Sequence, residues 1–293
     1  MTTQSCRVLR GLTWRWCSLA SVLLLMSAVA PVNAQTFTFF EVPGAARTDP
    51  SKINDHGVIV GSYVDTGGVT HGFVLTEGQF STIDVPGAAR TRAAGVSNDG
   101  KIVGDFEYAN GIAHGFLLSD SSFTVIDVPG ATSTGATSIN EAGLITGYYV
   151  DASGVRHGFV LSKGVFSTVG RGARAFGLNN QGDIVGEYSA AGSIHGFLFA
   201  SDQVTSIDVP GANSTEAFDV NDRGEVVGRY EPGSGCSIAL CLEGFLLRKE
   251  VLTTITVPGA LRTQAFGVNA SGVIVGSFLG GAPVTHRGFV MTP

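Results

Sequence analysis

The feature that most constrains this chain is repetition. The stretch from Phe123 to Val165, FTVIDVPGATSTGATSINEAGLITGYYVDASGVRHGFVLSKGV, recurs along nearly the whole sequence. Three landmarks mark each copy. VPGA begins at Val42, Val85, Val128, Val209 and Val257. N-x-x-G begins at Asn54, Asn140, Asn179, Asn221 and Asn269, with Ser97 in the Asn place of the second copy. HGF begins at His71, His114, His157 and His195, and is replaced by Glu243-Gly244-Phe245 and then by His286-Arg287-Gly288-Phe289. The first three copies have a period of about 43 residues, which is the length of a propeller blade.

Each copy reads as four short strands. In the third copy these are Thr137 to Asn140, Leu144 to Tyr149, His157 to Leu161, and Phe166 to Val169. Val, Ile, Phe, Tyr and Thr fill the runs and turn residues bound them. In N-x-x-G the Asn side chain caps a hairpin turn and the Gly accepts a left-handed backbone. Four strands per copy and six copies predict an all-β, six-bladed β-propeller of four-stranded blades. The chain opens on an outer-type strand, Phe37 to Val42, and ends on a third-type strand, Gly288 to Met291. The N-terminal strand is therefore expected to close the last blade and remove the free edges of the ring. A solenoid would not need such matching ends, and a membrane barrel needs strands of about 9–11 residues.

Residues 1–34 read as a secretory signal peptide. Arg7, Arg10 and Arg15 precede an apolar run from Ser18 to Ala30, and Val32-Asn33-Ala34 offers a cleavage site before Gln35. That leaves residues 35–293 as one propeller domain, exported to the periplasm or the extracellular space. Cleavage removes three Arg and no acid, moving the formal charge from −6 to about −9. An acidic domain of this kind argues against nucleic acid or an anionic membrane as partner, and no further run is suited to stable membrane insertion. Cys236 and Cys241 fall in the one enlarged loop, in the fifth copy, where export favours a disulfide across the insertion. A metal or redox pair is the alternative, but the spacing lacks further ligands. The fourth copy lacks VPGA, running Val169-Gly170-Arg171-Gly172-Ala173, which predicts a tighter blade junction.

Five of the six histidines sit at or beside the start of a third strand. In a propeller they spread around a wide ring and cannot converge. Counting across the outer hairpin sets His71 opposite Asp84, His114 opposite Asp127 and His195 opposite Asp208, as structural cross-strand pairs. It sets His157 opposite Gly170 and Glu243 opposite Thr256. The Asn series is expected to be consumed by its own turns. The alternative is an axial ring that holds Ca²⁺ with the help of Asp55, Glu141 and Asp222. No other cofactor is implied. Arg47, Arg90, Arg92, Arg171, Arg174 and Arg262 fall in the connections between blades. Of these, Arg47, Arg90 and Arg262 are the candidate ligand-binding residues, suited to carboxylates such as those of acidic sugars. Solvated loop charge is the alternative. The aromatics that end the second strands (Tyr63, Phe106, Tyr149, Tyr188, Tyr230, Phe278) read as core between blades. His56, in the first N-x-x-G turn, lies outside this scheme. No nucleophile elbow, H-E-x-x-H, phosphate loop or EF-hand spacing occurs, so no catalytic or metal residue is singled out.

N-x-x-G-x-[IV]-V-G followed about ten residues later by HGF[VL]L resembles the HAF family of probable extracellular repeats in bacterial exported proteins. The resemblance covers nearly all of residues 37–293. That family's typical His-Ala-Phe-Leu-Trp ending appears here as His71-Gly72-Phe73-Val74-Leu75 and its kin. The resemblance implies secretion and a β-repeat fold, and it brings no activity or catalytic residues. The expectation from sequence is a secreted, non-enzymatic binding or scaffold module with a protein or acidic carbohydrate as partner. The alternative is an extracellular enzyme acting on carbohydrate or lactone in the channel or on the Arg-bearing face.

Overall fold

The computed structural model describes residues 35–233, 241–281 and 284–293. Six four-stranded antiparallel sheets form the ring, five of them running from an innermost to an outermost strand in chain order. The innermost strands are Arg47–Ile53, Arg90–Val96, Ser133–Ile139, Ala173–Leu178, Ala212–Val220 and Ala260–Val268, in blades 1 to 6. Blade 6 has only three strands of its own, and Thr36–Phe40 completes it by pairing with Thr285–Thr292, Thr36 opposite Thr292 and Phe40 opposite Gly288. The chain is a six-bladed β-propeller closed by its N-terminal strand. No helix among the described residues is long and apolar enough to cross a membrane.

The VPGA motif makes the step between blades. Pro at the second position and Gly at the third suit a type II turn, which needs a positive φ at that glycine. Gly44 (φ 76°) and its counterparts supply it, and Ala45 N donates to Val42 O at 3.0 Å. A buried Thr in the next strand locks the turn, with Val42 N donating to Thr48 Oγ1 at 3.0 Å and the same bond at Thr91, Thr134, Thr215 and Thr263. This turn is so tight that the next strand starts at once. Arg47, Arg90 and Arg262 therefore lie on innermost strands, rather than in the loops the sequence suggested.

Within a blade, packing depends on one contact. The Phe of HGF lies over the Gly opposite it on the second strand: Phe73 over Gly61, Phe116 over Gly104, and so on to Phe289 over Gly276. A Cβ on Gly104 would stand 1.9 Å from the Arg92 carbonyl oxygen and 2.7 Å from the Phe116 ring. The gap left by glycine admits the ring, and Phe73, Phe116, Phe159, Phe245 and Phe289 are fully buried there.

Gly104→Ala should destabilise the fold by about 3 kcal/mol or more, since the obstruction is backbone and cannot yield. Gly111→Ala, in an open surface turn at positive φ, should cost only about 1 kcal/mol. Urea unfolding of the two variants checks the contrast.

Candidate functional site: a cavity on the propeller axis

The two ends of the axis differ in what the innermost strands deliver to them. At one end lie the N-x-x-G turns. Each Asn uses both halves of its amide. Asn54 Oδ1 accepts from His56 N and Val58 N of its own turn, at 3.1 and 2.9 Å. Its Nδ2 donates to the Ser97 carbonyl of the next blade at 3.0 Å. Asn140, Asn179, Asn221 and Asn269 repeat the step around the ring. Asp55, Asn98, Glu141, Asn180 and Asp222 add an outer belt, each accepting a backbone N–H of the preceding blade at 2.7 to 3.0 Å. These oxygens are engaged in joining blades, and the cavity among them is only about 80 Å³. No group of three or more His, Cys, Asp or Glu among the described residues is arranged to hold a metal ion.

The centre of the axis is filled by Lys52 of blade 1 and Asp219 of blade 5, which form a buried ion pair. Lys52 Nζ also donates to the Phe218 carbonyl at 2.8 Å, and Asp219 Oδ2 accepts from Val268 N at 2.9 Å. Burial lowers the Lys52 pKa and raises that of Asp219, and the opposite charge of each partner resists the shift. The equivalent residues in blades 2, 4 and 6 are Gly95, Gly177 and Gly267. A Cβ on any of them would press on the backbone of the next blade, at Ser138, Asp219 and Lys52 respectively. Glycine in alternate blades makes room for the ion pair at the centre.

Beyond this plug, on the Arg-bearing side, opens a cavity of about 450 Å³. Every innermost strand carries a β-bulge at one equivalent place, and the bulged residue turns toward the axis. The six bulged residues are Ser51, Ala94, Thr137, Phe176, Phe218 and Phe266, and all six line the cavity. Blades 1 to 3 contribute small residues and blades 4 to 6 contribute phenylalanine. The rings form a continuous arc, with centroids 5.3 Å apart between Phe176 and Phe218 and 5.1 Å between Phe218 and Phe266. Arg174 stands 5.2 Å over Phe176 and Arg229 stands 5.3 Å over Phe218. Sequence reasoning missed this arc. Its signal was the residue three before each N-x-x-G, which reads Ser, Ala, Thr, Phe, Phe, Phe in chain order.

The opposite wall is polar and held by ion pairs. Arg92 pairs with Asp105 through Nε and a terminal nitrogen, at 3.1 and 2.9 Å. Arg90 Nε donates to Glu107 Oε2 at 2.7 Å, and Arg47 binds Asp49. Burial and then the Asp105 charge push the Tyr148 phenol up. Of the candidate ligand-binding residues, Arg47 and Arg90 line the cavity, each already beside a carboxylate. Arg262 lies at the next seam and makes no ion pair among the described residues.

Behind Arg174 and Arg229 sits a buried acid pair. Arg174 binds Glu187, and Arg229 Nε donates to Glu216 Oε1 at 2.7 Å. The Glu216 and Glu187 carboxyls face each other closely across the seam of blades 4 and 5. Burial, and then the Glu187 charge against the opposing Arg229, push the Glu216 carboxyl up to about 7.

The other residues singled out from the sequence lie far from the cavity, on outer strands. His71 Nδ1 is 2.9 Å from Asp84, His114 Nδ1 is 2.9 Å from Asp127, and His195 Nδ1 is 2.9 Å from Asp208. Each ring also stacks on an aromatic of the second strand, as His71 does on Tyr63 at 5.0 Å. A bulge at His157 sets it opposite Arg171, not Gly170, and Asp151 supplies its carboxylate at 2.8 Å. Glu243 accepts a hydrogen bond from Tyr230. Cys241 is disulfide-bonded, and Cys236 lies outside the described residues.

No protein-family model matches this chain, and no curated protein matches it in sequence. Its fold is shared with solved propellers. TolB from Acinetobacter baumannii superposes with a TM-score of 0.57 at 11% identity, over 80% of this chain and 63% of that one. A gluconolactonase from Xanthomonas campestris gives 0.52 at 12%, over 89% and 90%. A point mutant of the Aleuria aurantia lectin, in complex with Fucα1-6GlcNAc, gives 0.51 at 10%, over 84% and 94%. At such identities the likeness is one of fold.

Two outcomes follow. Lys52→Met should cost about 3–5 kcal/mol by stranding the Asp219 charge, whereas Lys52→Met with Asp219→Leu should recover most of that loss, as read by urea unfolding. A carboxyl whose folded pKa is raised contributes stability below its unfolded pKa and loses it as pH rises through the folded value. Glu216 should therefore cost the fold on the order of 3 kcal/mol between pH ~4.5 and pH ~7. Glu216→Gln should flatten that part of the stability profile. An unchanged slope would remove Glu216 as its source.

Proposed function

We propose that this protein is an exported, non-enzymatic binding module of the HAF-repeat type. Its ligand site is the axial cavity on the Arg-bearing side, and its ligand is a small hydroxylated ring of the saccharide class. One observation carries the reading: six equivalent bulge positions converge on the cavity, yet half present phenylalanine and half present small residues. A purely structural ring has no need of that asymmetry. The phenylalanine arc offers apolar faces on which the C–H face of a sugar ring packs. The small residues leave the volume for it. Opposite, Arg92, Asp105, Arg90 and Tyr148 present donors and acceptors already fixed by one another, which suits hydroxyls that both give and take hydrogen bonds. The signal peptide and the disulfide-bonded Cys241 support export to the periplasm or beyond. The lectin with Fucα1-6GlcNAc and the gluconolactonase that share the fold add an analogy of architecture only.

A second reading is an enzyme acting on carbohydrate or lactone in the same cavity. It draws on Glu216, whose raised pKa suits proton transfer at neutral pH. Binding is preferred because Glu216 and Glu187 are buried and held by Arg229 and Arg174, away from the cavity wall.

Calorimetric titration of the purified protein with a panel of neutral and acidic oligosaccharides tests the proposal. Phe218→Ala should weaken the best ligand by about tenfold, in line with the worth of an aromatic contact. Ala94→Trp should fill the cavity and abolish binding while leaving the melting temperature nearly unchanged. Absence of binding to every saccharide, or binding indifferent to Ala94→Trp, would refute the assignment.

A further inference from the structure

The seam between blade 6 and blade 1 departs from the rest of the cavity rim. In blade 6 Arg262 stands opposite Leu279, which stands opposite His286, and Gln264 stands opposite Ser277 in the adjoining row. Residues opposite one another across strands share a sheet face. On this one face Arg262 Nε, Gln264 Nε2 and Ser277 Oγ are buried without a hydrogen-bond partner among the described residues, and the His286 ring stands beside Asp49 and the Thr48 backbone. Gln264 is only 3% exposed and Ser277 is fully buried. Each buried polar group left unpaired costs about 1–3 kcal/mol. So many on one face mark a place where partners come from outside the chain.

The equivalent rows of other blades show what is missing. The places of Gln264 and Ser277 hold Arg92 and Asp105 in blade 2, Arg174 and Glu187 in blade 4, and Glu216 and Arg229 in blade 5. Each of these rows contains its own acid. Blade 3 has Gly135 and Tyr148 there, and blade 6 has two neutral groups, but blade 6 adds an arginine one row above. Arg47, Arg90, Arg92, Arg174 and Arg229 all pair with carboxylates, whereas Arg262 pairs with none among the described residues. Burial and then the charges of Arg47 and Arg229 lower the Arg262 pKa, and the nearby Asp49 carboxylate offsets this only in part. His286 adds nothing to that charge, because burial above all holds its pKa below the usual value.

The face adjoins the cavity. Arg47 and Asp49 line the cavity, and His286 Nδ1 approaches Asp49 Oδ1 at 3.2 Å without hydrogen-bond geometry. Phe266 of the aromatic arc lies two residues beyond Gln264 on the same strand.

We infer that this seam is an anionic subsite of the cavity, in which Arg262, assisted by Gln264 and Ser277, holds the carboxylate of an acidic saccharide. The inference rests on the saccharide reading above and narrows its ligand. One unpaired guanidinium matches one negative charge, and its planar fork matches a carboxylate. The neutral amide and hydroxyl supply donors without adding charge.

The test compares an oligogalacturonate with the neutral galactose oligomer of equal length, by calorimetry on the wild type and on Arg262→Met and Gln264→Leu. The acidic ligand should bind at least about tenfold more tightly to the wild type, an advantage that weakens with salt. Arg262→Met should erase that advantage by weakening the acidic ligand far more than the neutral one, and Gln264→Leu should reduce it. Equal affinity of both ligands, or a preference that survives Arg262→Met, overturns the subsite while sparing the cavity reading. Should neither oligomer bind, the cavity reading fails and the subsite is judged by acetate alone. A rise in melting temperature with acetate over chloride at equal ionic strength, absent in Arg262→Met, supports it, and no such rise overturns it.

Discussion

Six innermost strands must meet around one axis, and the crowding there governs the molecule. Backbones approach so closely at Gly95, Gly177 and Gly267 that a single methyl would touch the neighbouring strand. The alternate blades can then carry larger groups, and two of them are the charges of Lys52 and Asp219. That pair does more than fill space. It separates the two ends of the axis, so the Asn belts and the Arg-bearing cavity are independent surfaces. One end is spent on joining blades. The other is free to differ from blade to blade, and it does.

The division of labour runs through each repeat. VPGA, N-x-x-G and HGF are nearly invariant from copy to copy because each satisfies a local demand: a turn, a bridge between blades, a ring over a glycine. Variation collects where the bulge turns one residue toward the axis, and in the two rows above it. A pseudo-sixfold frame thereby holds a site with no symmetry, aromatic on one side and charged on the other, with an arginine in blade 6 that no acid of its own row answers.

The architecture was legible in the sequence because its determinants are short-range. Turn residues fixed the hairpins, and counting across the outer hairpin is enough to place His71 near Asp84. The same counting failed at His157, where a bulge adds a residue to the register. It failed more seriously on the innermost strands. Simple alternation gives no reason for Phe176, Phe218 and Phe266 to share a surface, because the bulge that aims them is not written in any one residue. Lys52 and Asp219 were opaque for another reason: only closure of the whole ring brings blade 1 against blade 5. The arginines were visible, but their partners were not, since Glu107, Asp105 and Glu187 lie on the second strand across that same bulge.

Closure itself has a kinetic side. The strand Thr36–Phe40 is paired with Thr285–Thr292 and with no other strand of its sheet. The first strand to be synthesised thus has no partner until the last has been made. Every shorter chain exposes an unpaired strand edge at each end of an open arc, the kind of surface on which chains join one another instead of themselves. Five blades can form locally as they emerge, but the sixth requires the two ends of the fold to find each other across the full length of the ring. Growth of the arc and sealing of the ring are therefore separate events, and the interval between them is when this protein is most exposed to its own copies.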